Sequence, residues 1–465
     1  MKIGFIPIDN RPVCYTLPKL IGEINSDIKI CIPDRELLGD LKKTADINEI
    51  FNWLKSLQDL DYFIISLDTL IWGGLIPSRR SSETLFEIEK RLDKLKKLLK
   101  EKQCKIYAFS SIMRVSNNNI NEEEKLYWKD WGKKIFEYSY LTHKNNQPPK
   151  TDIPQTILKD YLETRRRNFE INKIYLNWQK EGLFDTLVFS KDDCAEFGFN
   201  VQEAKELEKM GGFVKTGADE IPLTLLARAI SDYKPAFTVT SGLNSMSADK
   251  KIKIFPVFTE PEYKNLISNY EDISVEKSVM GQIELAGCEA SKNYSDADII
   301  LIVNNFKKNQ GEIVMKIPTE NFQSDFEIPQ KPFMIADVRF ANGADNNFVE
   351  KLLEKINFQN LINNPDFLGY SAWNTSANTL GSLIAGGIAK FSDKNFYKEN
   401  FKRLQITRFL DDWGYQANVR QMLKLLDKLE LNKQMKIFEN KLGISEVHSY
   451  NFPWNRLFEV EIEFS

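Results

Sequence analysis

The stretch FIISLDTLIWGG (residues 63–74) has the pattern that decides the fold: a short apolar run, typical of a buried strand, followed closely by an acid, Asp68. Five other stretches have this form, namely IGFIPIDNRP (3–12), IYAFSSIMR (106–114), TLVFSKDD (186–193), MIADVRFANGAD (334–345) and LGYSAWNTSAN (368–378). Strands that are apolar throughout are typical of parallel sheets covered on both faces. Polar residues that follow such strands lie at the carboxyl edge, where α/β proteins bind ligands. The pattern predicts an α/β protein with a polar site at that edge.

Strand-like and helix-like segments alternate along the chain, which favours a (β/α)8-like barrel. Six strand candidates precede residue 217, and two more, Phe333–Val338 and Gly369–Trp373, complete the eight that such a barrel needs. The predicted division is 1–234 for the first part of the catalytic barrel, 235–330 for an inserted small α/β domain with strands at 236–241, 253–258 and 299–304, 331–390 for the last barrel strands and helices, and 391–465 for a helical C-terminal region with a terminal strand. Two doubly wound α/β domains are the alternative.

Charge and hydropathy exclude several classes of partner. With 63 basic and 66 acidic residues the net charge is −3, which gives no general attraction for nucleic acid. No run approaches the roughly 20 apolar residues of a membrane helix, so no membrane partner is expected. The chain starts in a strand-like run without a leader-like segment, and its five cysteines include no CxxC pair, so a reduced, cytoplasmic protein is expected. The oligomeric state stays open.

Histidine is scarce, and this limits the chemistry. The two histidines, His143 and His448, are far from the acidic strand ends, which disfavours a Ser–His–Asp triad and a histidine-rich zinc site. The phosphate-binding patterns GxGxxG and GxxxxGK[ST] are absent. The leading interpretation therefore includes no cofactor and no metal, and it leaves the chemistry to carboxylates, arginines and amides acting on a small molecule or oligosaccharide.

The strongest candidate for catalysis is the acid pair of SKDD, Asp192 and Asp193. Adjacent buried carboxylates repel each other, which raises the pKa of at least one, and such a split suits glycoside hydrolysis. Successive strand residues face opposite sides, so the pair can cooperate only if Asp193 lies beyond the strand. A helix cap with a solvated acid, or a pair of metal ligands, is the alternative reading.

The other strand ends supply candidate substrate-binding residues. These are Asp9, Arg11, Asp68, Arg114, Asp337, Asn342, Asp345, Trp373 and Asn374. Indole faces stack on sugar rings and amides bind hydroxyl groups, although Trp373 also suits a hydrophobic core and Asp345 a helix cap. For Asp219 and Glu220, catalysis and capping both stay open.

Taken in order, these segments resemble a bacterial family recorded only as a domain of unknown function, number 4127. The motifs are FIPIDNRP, SLDTLIWGGLIPSR, LVFSKDD, TGADEIPLTLLAR, DVRFANGAD, GYSAWNTSANTLG, RFLDDWGYQANVR and FPWNRLFEVEI. The resemblance covers nearly the whole chain and implies no activity. More loosely, SKDD followed by YSAWNTSAN is similar to the site of β-N-acetylhexosaminidases of the O-GlcNAcase type, which use an adjacent Asp–Asp pair.

The leading hypothesis is a retaining glycoside hydrolase. In its substrate-assisted form, on an N-acetylhexosaminide, Asp192 orients the acetamido group and Asp193, with a raised pKa, is the general acid and base. With simple two-carboxylate chemistry, Asp68 is the partner of the pair. The alternatives are a divalent-metal-dependent hydrolase or lyase with Asp9, Asp68, Asp192 and Asp337 as ligands, and a non-catalytic sugar-binding protein.

Overall fold

The structure, a computed structural model, describes residues 1–233, 251–324 and 326–465. It is a mixed α/β protein with two parallel sheets, one of six and one of five strands. The described residues fall into two compact units: the first comprises Met1–Tyr15, Lys29–Pro222 and Tyr270–Asp272, and the second comprises Thr16–Ile28, Leu223–Asn269 and Ile273–Ser465.

The first unit contains the six-stranded sheet. Its strands are β1 Lys2–Ile6, β2 Lys29–Cys31, β3 Tyr62–Ser66, β4 Lys105–Ile112, β5 Thr186–Lys191 and β6 Phe213–Thr216. All neighbours are parallel, in the order β2-β1-β3-β4-β5-β6. Because the second strand lies on one side of the first and the rest on the other, the order reverses between β1 and β3. In doubly wound sheets the ligand binds at the carboxyl ends beside such a reversal.

Helices connect these strands, and their ends follow from local sequence signals. In chain order they are α1 Pro12–Gly22, a 3₁₀ helix Arg35–Leu37, α2 Ile47–Ser56, α3 Leu67–Trp72, α4 Leu75–Arg80, α5 Leu85–Lys100, α6 Trp128–Asn145, α7 Gln155–Lys180, α8 Phe199–Lys209 and, after the last strand, α9 Ile221–Asp232. The part of α1 from Thr16 and the part of α9 from Leu223 belong to the second unit. For example, Thr84 and Glu87 form a capping box at the start of α5. Strands β3 and β5 are buried over their whole lengths, because side chains such as Phe63, Ile65 and Phe189 belong to the core.

The second unit contains the five-stranded sheet. Its strands are β7 Lys253–Phe258, β8 Glu289–Ala290, β9 Ile299–Asn304, β11 Phe333–Asp337 and β13 Phe367–Ser371, in the order β13-β11-β9-β7-β8. All neighbours are again parallel, and the order reverses between β7 and β9. Two small pairs accompany this sheet: parallel β10 Gly311–Glu312 with β12 Phe340–Ala341, and antiparallel β14 Val447–Asn451 with β15 Glu461–Phe464.

The helices of the second unit include one long π-helix. They are a 3₁₀ helix Pro261–Tyr263, α10 Val275–Leu285, α11 Asn346–Lys355, α12 Phe358–Asn363, α13 Ser376–Phe391, α14 Lys398–Arg408, the π-helix Phe409–Val419, α15 Arg420–Met422, α16 Lys428–Leu442 and a 3₁₀ helix Pro453–Asn455. Within the π-helix, Asp412 is fully buried, and its Oδ2 accepts a hydrogen bond of 2.6 Å from the backbone nitrogen of Ala372, just after β13. π-helical turns are rare and occur often at functional sites.

The strand pairing does not confirm the predicted closed barrel. Phe333–Asp337 and Phe367–Ser371, expected to complete an eight-stranded barrel, instead form a sheet with Ile299–Asn304 and Lys253–Phe258. The predicted inserted domain of residues 235–330 therefore shares its sheet with the region 331–390, because β9 pairs in register with β11. The orders of both sheets are those of the alternative, doubly wound arrangement. The apolar run at 236–241 lies outside the described residues.

The structure also tests the expectation about membrane helices. Over the described ranges, none of the helices combines the length and the apolar character that crossing a membrane requires.

Candidate functional site

Strand β5 places the acid pair at the carboxyl edge of the first sheet. The strand ends at Lys191, so Asp192 and Asp193 both lie beyond it, as cooperation between them requires. Asp193 has a φ of 47°, a left-handed conformation that aspartate tolerates better than most residues. Its backbone nitrogen donates to Oδ1 of Asp192 at 2.9 Å, and the buried amide of Asn200 donates to both backbone carbonyls of the pair. These hydrogen bonds fix the conformation of the loop that carries the acid pair.

The neighbouring strand β4 supplies a cation and a hydroxyl group to the pair. Nη1 of Arg114 lies 3.3 Å from Oδ2 of Asp193 and 3.6 Å from Oδ2 of Asp192. Oγ of Ser116 donates a hydrogen bond of 2.6 Å to Oδ2 of Asp193. Arg114, predicted to bind substrate, therefore contacts the predicted catalytic carboxylates directly. Ser116 was not singled out by the sequence.

The raised pKa in the pair belongs to Asp192. Burial, followed by the negative charge of Asp193, raises the pKa of Asp192 to about 7, against the attraction of Arg114. Its side chain still keeps 28% of its surface accessible, so solvent reaches the carboxyl group. The sequence predicted a raised pKa within the pair and placed it on Asp193, because adjacency alone does not distinguish the two acids.

Asp68 follows β3, the strand on the other side of β4. It lies in the first turn of α3, which begins directly after the strand because the side chain of Ser66 caps it. Oδ2 of Asp68 accepts a hydrogen bond of 2.8 Å from the backbone nitrogen of Ser111 in β4. Burial raises the pKa of Asp68 to about 6, and the positive charge of Arg79 counteracts part of this rise.

Two glutamates connect Arg114 to a second, deeply buried arginine. Oε1 of Glu124 lies 3.0 Å from Nη1 of Arg79 and 2.9 Å from Nε of Arg114. Oε2 of Glu123 lies 3.5 Å from Nη2 of Arg79 and 2.9 Å from Nη2 of Arg114. Glu123 and Glu124 come from the loop between β4 and α6. Neither glutamate was predicted as a site residue, because both lie in the polar run NEEEK and follow no strand directly.

After β1, Arg11 pairs with Asp9 and also with Asp219, which follows β6. Nε of Arg11 donates to Oδ2 of Asp9 at 2.9 Å, and its terminal nitrogens contact the two carboxylate oxygens of Asp219 at 3.1 and 2.5 Å. All three side chains are buried. Burial raises the pKa of Asp219, and Arg11 opposes the rise. Asp219 is thus an ion-pair partner, while Glu220, fully buried, accepts a hydrogen bond from the backbone nitrogen of Ala218.

One group of side chains has the spacing of metal ligands. Within the described ranges, Asp9, Cys14 and Asp219 bring three ligand atoms within 4.8 Å of one another. The guanidinium group of Arg11 already donates to both carboxylates and supplies a positive charge there. A thiol is also a poor ligand for the hard, oxygen-preferring cations of the metal hypothesis. This group therefore fits an internal ion pair better than a metal centre.

The remaining five predicted residues belong to the second sheet. Asp337 is fully buried and accepts hydrogen bonds from Nδ2 of Asn304 (2.8 Å) and from the backbone nitrogen of Asp345 (2.7 Å). Burial, and then the charge of Asp345, raises the pKa of Asp337 to about 7. Asp345 accepts a hydrogen bond from the backbone of Asn347 and so caps α11, as its alternative reading held. Asp337 ends a strand of the five-stranded sheet, whereas Asp9, Asp68 and Asp192 follow strands of the six-stranded sheet. The four acids therefore do not share one sheet edge, as the sequence predicted.

Two predicted binding side chains of the second unit, those of Asn342 and Trp373, have internal partners. Nδ2 of Asn342 donates to Oε1 of Glu312 at 2.5 Å, and the backbone nitrogen of Asn342 donates to the carbonyl of Asn374 at 2.8 Å. Trp373 is buried, with 2% of its surface exposed, and packs edge-on against Phe458. It presents no free face on which a sugar ring could stack, so Trp373 is a core residue.

A pocket of about 590 Å³ opens in the first unit beside Glu124, the carboxylate that holds both arginines. It is lined by Arg80, Asn121, Glu124, Lys125, Leu126, Tyr127, Thr156, Ile157 and Asp160. Lys125 and Tyr127 both contact Asp160, at 2.7 and 2.9 Å. The acid pair does not line this pocket, but Glu124 connects the pocket wall to Arg114 and, through Arg114, to the pair.

Comparison with known proteins gives one match. The family model described as "Protein of unknown function (DUF4127)" matches residues 3–442. No curated protein and no solved structure is similar enough to match. The matched region contains both sheets and every residue of the site, and it confirms the family to which the strand-end motifs pointed.

Proposed function

We propose that this chain, which belongs to the family of proteins of unknown function numbered 4127, is a glycoside hydrolase that uses Asp192 and Asp193 as its catalytic carboxylates. The observation that carries the proposal is the unequal surroundings of two adjacent acids. Asp192 has a pKa raised to about 7, whereas Asp193 accepts the Ser116 hydroxyl and lies slightly closer to Nη1 of Arg114, at 3.3 Å against 3.6 Å. Two carboxyl groups in different environments are what acid-assisted cleavage of a glycosidic bond requires.

In this proposal Asp192 is the general acid. With a pKa near 7, a large share of Asp192 carries a proton at neutral pH and can donate it to the leaving oxygen. The contacts of Asp193 with Ser116 and Arg114 stabilise its negative charge, which suits a nucleophile, or the group that orients an acetamido nucleophile. These roles are exchanged relative to those expected from the sequence, because the raised pKa lies on Asp192.

The finer form of the proposal is retention of configuration on an N-acetylhexosaminide by substrate assistance. Its support is the adjacency of the two acids, which brings both to one side of Arg114 and leaves the attack to the substrate's own acetamido group. Asp68, with a pKa near 6, is the second carboxylate if the enzyme uses simple two-carboxylate chemistry.

The test is a screen of chromogenic glycosides with four proteins: wild type, Asp192→Asn, Asp193→Asn and the control Asp93→Asn. Asp93 is exposed on α5, so its variant matches the chemical change outside the site. We expect turnover of at least one glycoside by the wild type and the control. Each site variant should lose a factor of about 10² to 10⁴ in kcat, the usual contribution of general acid–base catalysis.

Two other outcomes separate the alternative functions. Equal turnover in all four proteins removes the acid pair from the chemistry. Activity of the wild type that disappears with excess EDTA and returns with Mg²⁺ or Mn²⁺ favours the metal-dependent hydrolase. Binding of sugars without turnover by any of the four proteins favours the sugar-binding protein.

A further inference from the structure

Arg79 is a buried cation with unused hydrogen-bond donors. Its side chain is 1% exposed, and within residues 1–233, 251–324 and 326–465 neither its Nε nor its Nη2 has a hydrogen-bond acceptor. Nη2 comes no closer than ion-pair range to Glu123, at 3.5 Å, while Nη1 donates to Glu124 at 3.0 Å. Buried donors are almost always satisfied in native proteins, because leaving one unpaired costs stability. An acceptor from outside the chain would remove this cost.

The two unused nitrogens form one complete edge of the guanidinium group. Nε–H and Nη2–H point the same way, in the plane of the group, and this is the fork that binds two oxygens of a carboxylate or phosphate side by side. The remaining nitrogen, Nη1, is the one held by Glu124. The guanidinium is therefore held by Glu124 at Nη1, while its Nε–Nη2 edge has no hydrogen-bond acceptor among the described residues.

The surroundings place this fork at the acid pair. Glu123 and Glu124 each lie between Arg79 and Arg114, and Nη1 of Arg114 lies within 3.6 Å of both carboxylates of the pair. Asp192, Asp193 and Arg114 keep between 18% and 28% of their side-chain surface accessible, so a ligand can approach the cluster from that side. A group bound to Arg79 would then be part of the molecule on which Asp192 acts.

The charge balance favours a carboxylate over a phosphate. Arg79 already shares its charge with Glu123 and Glu124, and these glutamates also bind Arg114, which contacts both acids of the pair. A phosphate monoester, with about −1.5 to −2 charges at neutral pH, meets stronger repulsion from these acids than a singly charged carboxylate. A carboxylate is also planar, like the fork that receives it.

We propose that the Nε–Nη2 edge of Arg79 binds the carboxylate of an acidic sugar, a uronic acid residue, beside the acid pair. The choice of a sugar rests on the proposed function, whereas the choice of a carboxylate rests on Arg79. Arg79 is on this account the residue that selects acidic over neutral sugars.

The experiment is calorimetric titration of the full chain with D-glucuronate, its neutral counterpart D-glucose and inorganic phosphate. D-glucuronate has no glycosidic bond to cleave, so its binding is independent of turnover. We expect glucuronate to bind and glucose to bind at least about tenfold more weakly, since glucose offers Arg79 no charged acceptor. Arg79→Lys keeps the charge but removes the fork, and it should weaken glucuronate binding by about 10- to 100-fold. The control Arg166→Lys, at an exposed position of α7, should leave binding unchanged.

The outcomes are distinct from those of the proposed function. Glucuronate binding that depends on Arg79 supports the inference even if no glycoside is cleaved. Equal affinities for glucuronate and glucose overturn it, and so does phosphate binding in place of glucuronate. This comparison uses the wild type alone, so it decides the matter even if Arg79→Lys does not fold. Cleavage of neutral glycosides by a chain that does not bind glucuronate leaves the proposed function standing and removes the role of Arg79.

Discussion

The protonation of Asp192 gives the activity an upper pH limit. A general acid works only while it carries its proton, and the pKa of Asp192 is raised to about 7 by burial and by Asp193. We expect kcat/KM to fall above pH 7, approaching about tenfold for each further pH unit. The measurement is kcat/KM of the wild type from pH 5 to 9 on a glycoside found in the screen. A profile that is flat, or that rises between pH 7 and 9, contradicts the assignment of Asp192 as the acid.

Ser116 tests the other carboxylate of the pair. Its hydroxyl donates a hydrogen bond of 2.6 Å to Asp193, and Ser116→Ala removes that donor from a nearly buried site. A hydrogen bond to a charged group is worth about 1.5–3 kcal/mol, so we expect kcat/KM to fall by at least about tenfold. Ser56→Ala, at an exposed position of α2, is the matched control. Unchanged kinetics in both variants would mean that Asp193 does not take part in the reaction.

The site residues that could be predicted from the sequence follow strands, whereas those that were missed lie in a loop. Asp68, Arg114, Asp192 and Asp193 directly follow apolar runs, so their common edge was predictable. Glu123 and Glu124 reach the cluster from a loop, and their contacts with Arg79 and Arg114 depend on the path of that loop. No local pattern specifies such a path. The sequence likewise could not reveal that Arg11 pairs with Asp219, which lies 208 positions further along the chain.

Among the elements, the turn after β6 depends on a glycine. Gly217 has a φ of 119°, and a Cβ there would lie 1.6 Å from Oε1 of the fully buried Glu220. Gly217→Ala combines backbone strain with this overlap, so we expect it to lower the free energy of unfolding by about 3 kcal/mol or more. Chemical denaturation followed by circular dichroism measures the change.

Gly182→Ala is the matched control for that glycine. Gly182 also has a left-handed φ, of 80°, but a Cβ there meets nothing within 4 Å. We expect Gly182→Ala to lower the free energy of unfolding by about 1–2 kcal/mol, from backbone strain alone. If both variants lower the free energy of unfolding equally, the overlap with Glu220 is relieved without cost.

At the element scale, the strands themselves were largely predictable and their partners were not. Apolar runs bounded by polar residues specify strands such as Ile299–Asn304, whose predicted and observed ends coincide. Which strands pair in a sheet depends on contacts between residues far apart in the chain, such as Ile335 of β11 and Ile302 of β9. Counting strands gave eight, and only this pairing shows that they divide between two sheets.

For the whole molecule, buried acids in both units make stability depend on pH. Burial is the first cause of a raised pKa in each of these groups: about 6 for Asp68, about 7 for Asp192, Glu203 and Asp337, and about 8 for Asp411. In the unfolded chain such groups titrate near pH 4. Between pH 5 and 7.5 the native state therefore binds more protons than the unfolded state, and stability decreases as the pH rises.

We expect the apparent Tm to be lower at pH 7.5 than at pH 5. A net loss of about 2 kcal/mol corresponds to roughly 4–8 °C in a domain of 150–250 residues. Carboxylates with lowered pKa values, such as Glu83 and Asp152, are already ionised in both states across most of this window and do not offset the trend. The lowered pKa of His143 makes stability rise with pH, but this is one group against five. Differential scanning calorimetry at the two pH values is the measurement, and a Tm that stays constant or rises contradicts the expectation.

The π-helix Phe409–Val419 restricts how the chain length can vary in evolution. Each residue of an α-helix turns the chain by about 100°. Deleting one residue before Asp412 would let the backbone return to the commoner α-helical pairing, yet it would rotate the preceding helix relative to Asp412 by roughly that angle. Either Asp412 would leave the amide of Ala372, or α14 would turn a different face to its neighbours. Insertions and deletions in this segment should therefore be rarer among relatives than substitutions.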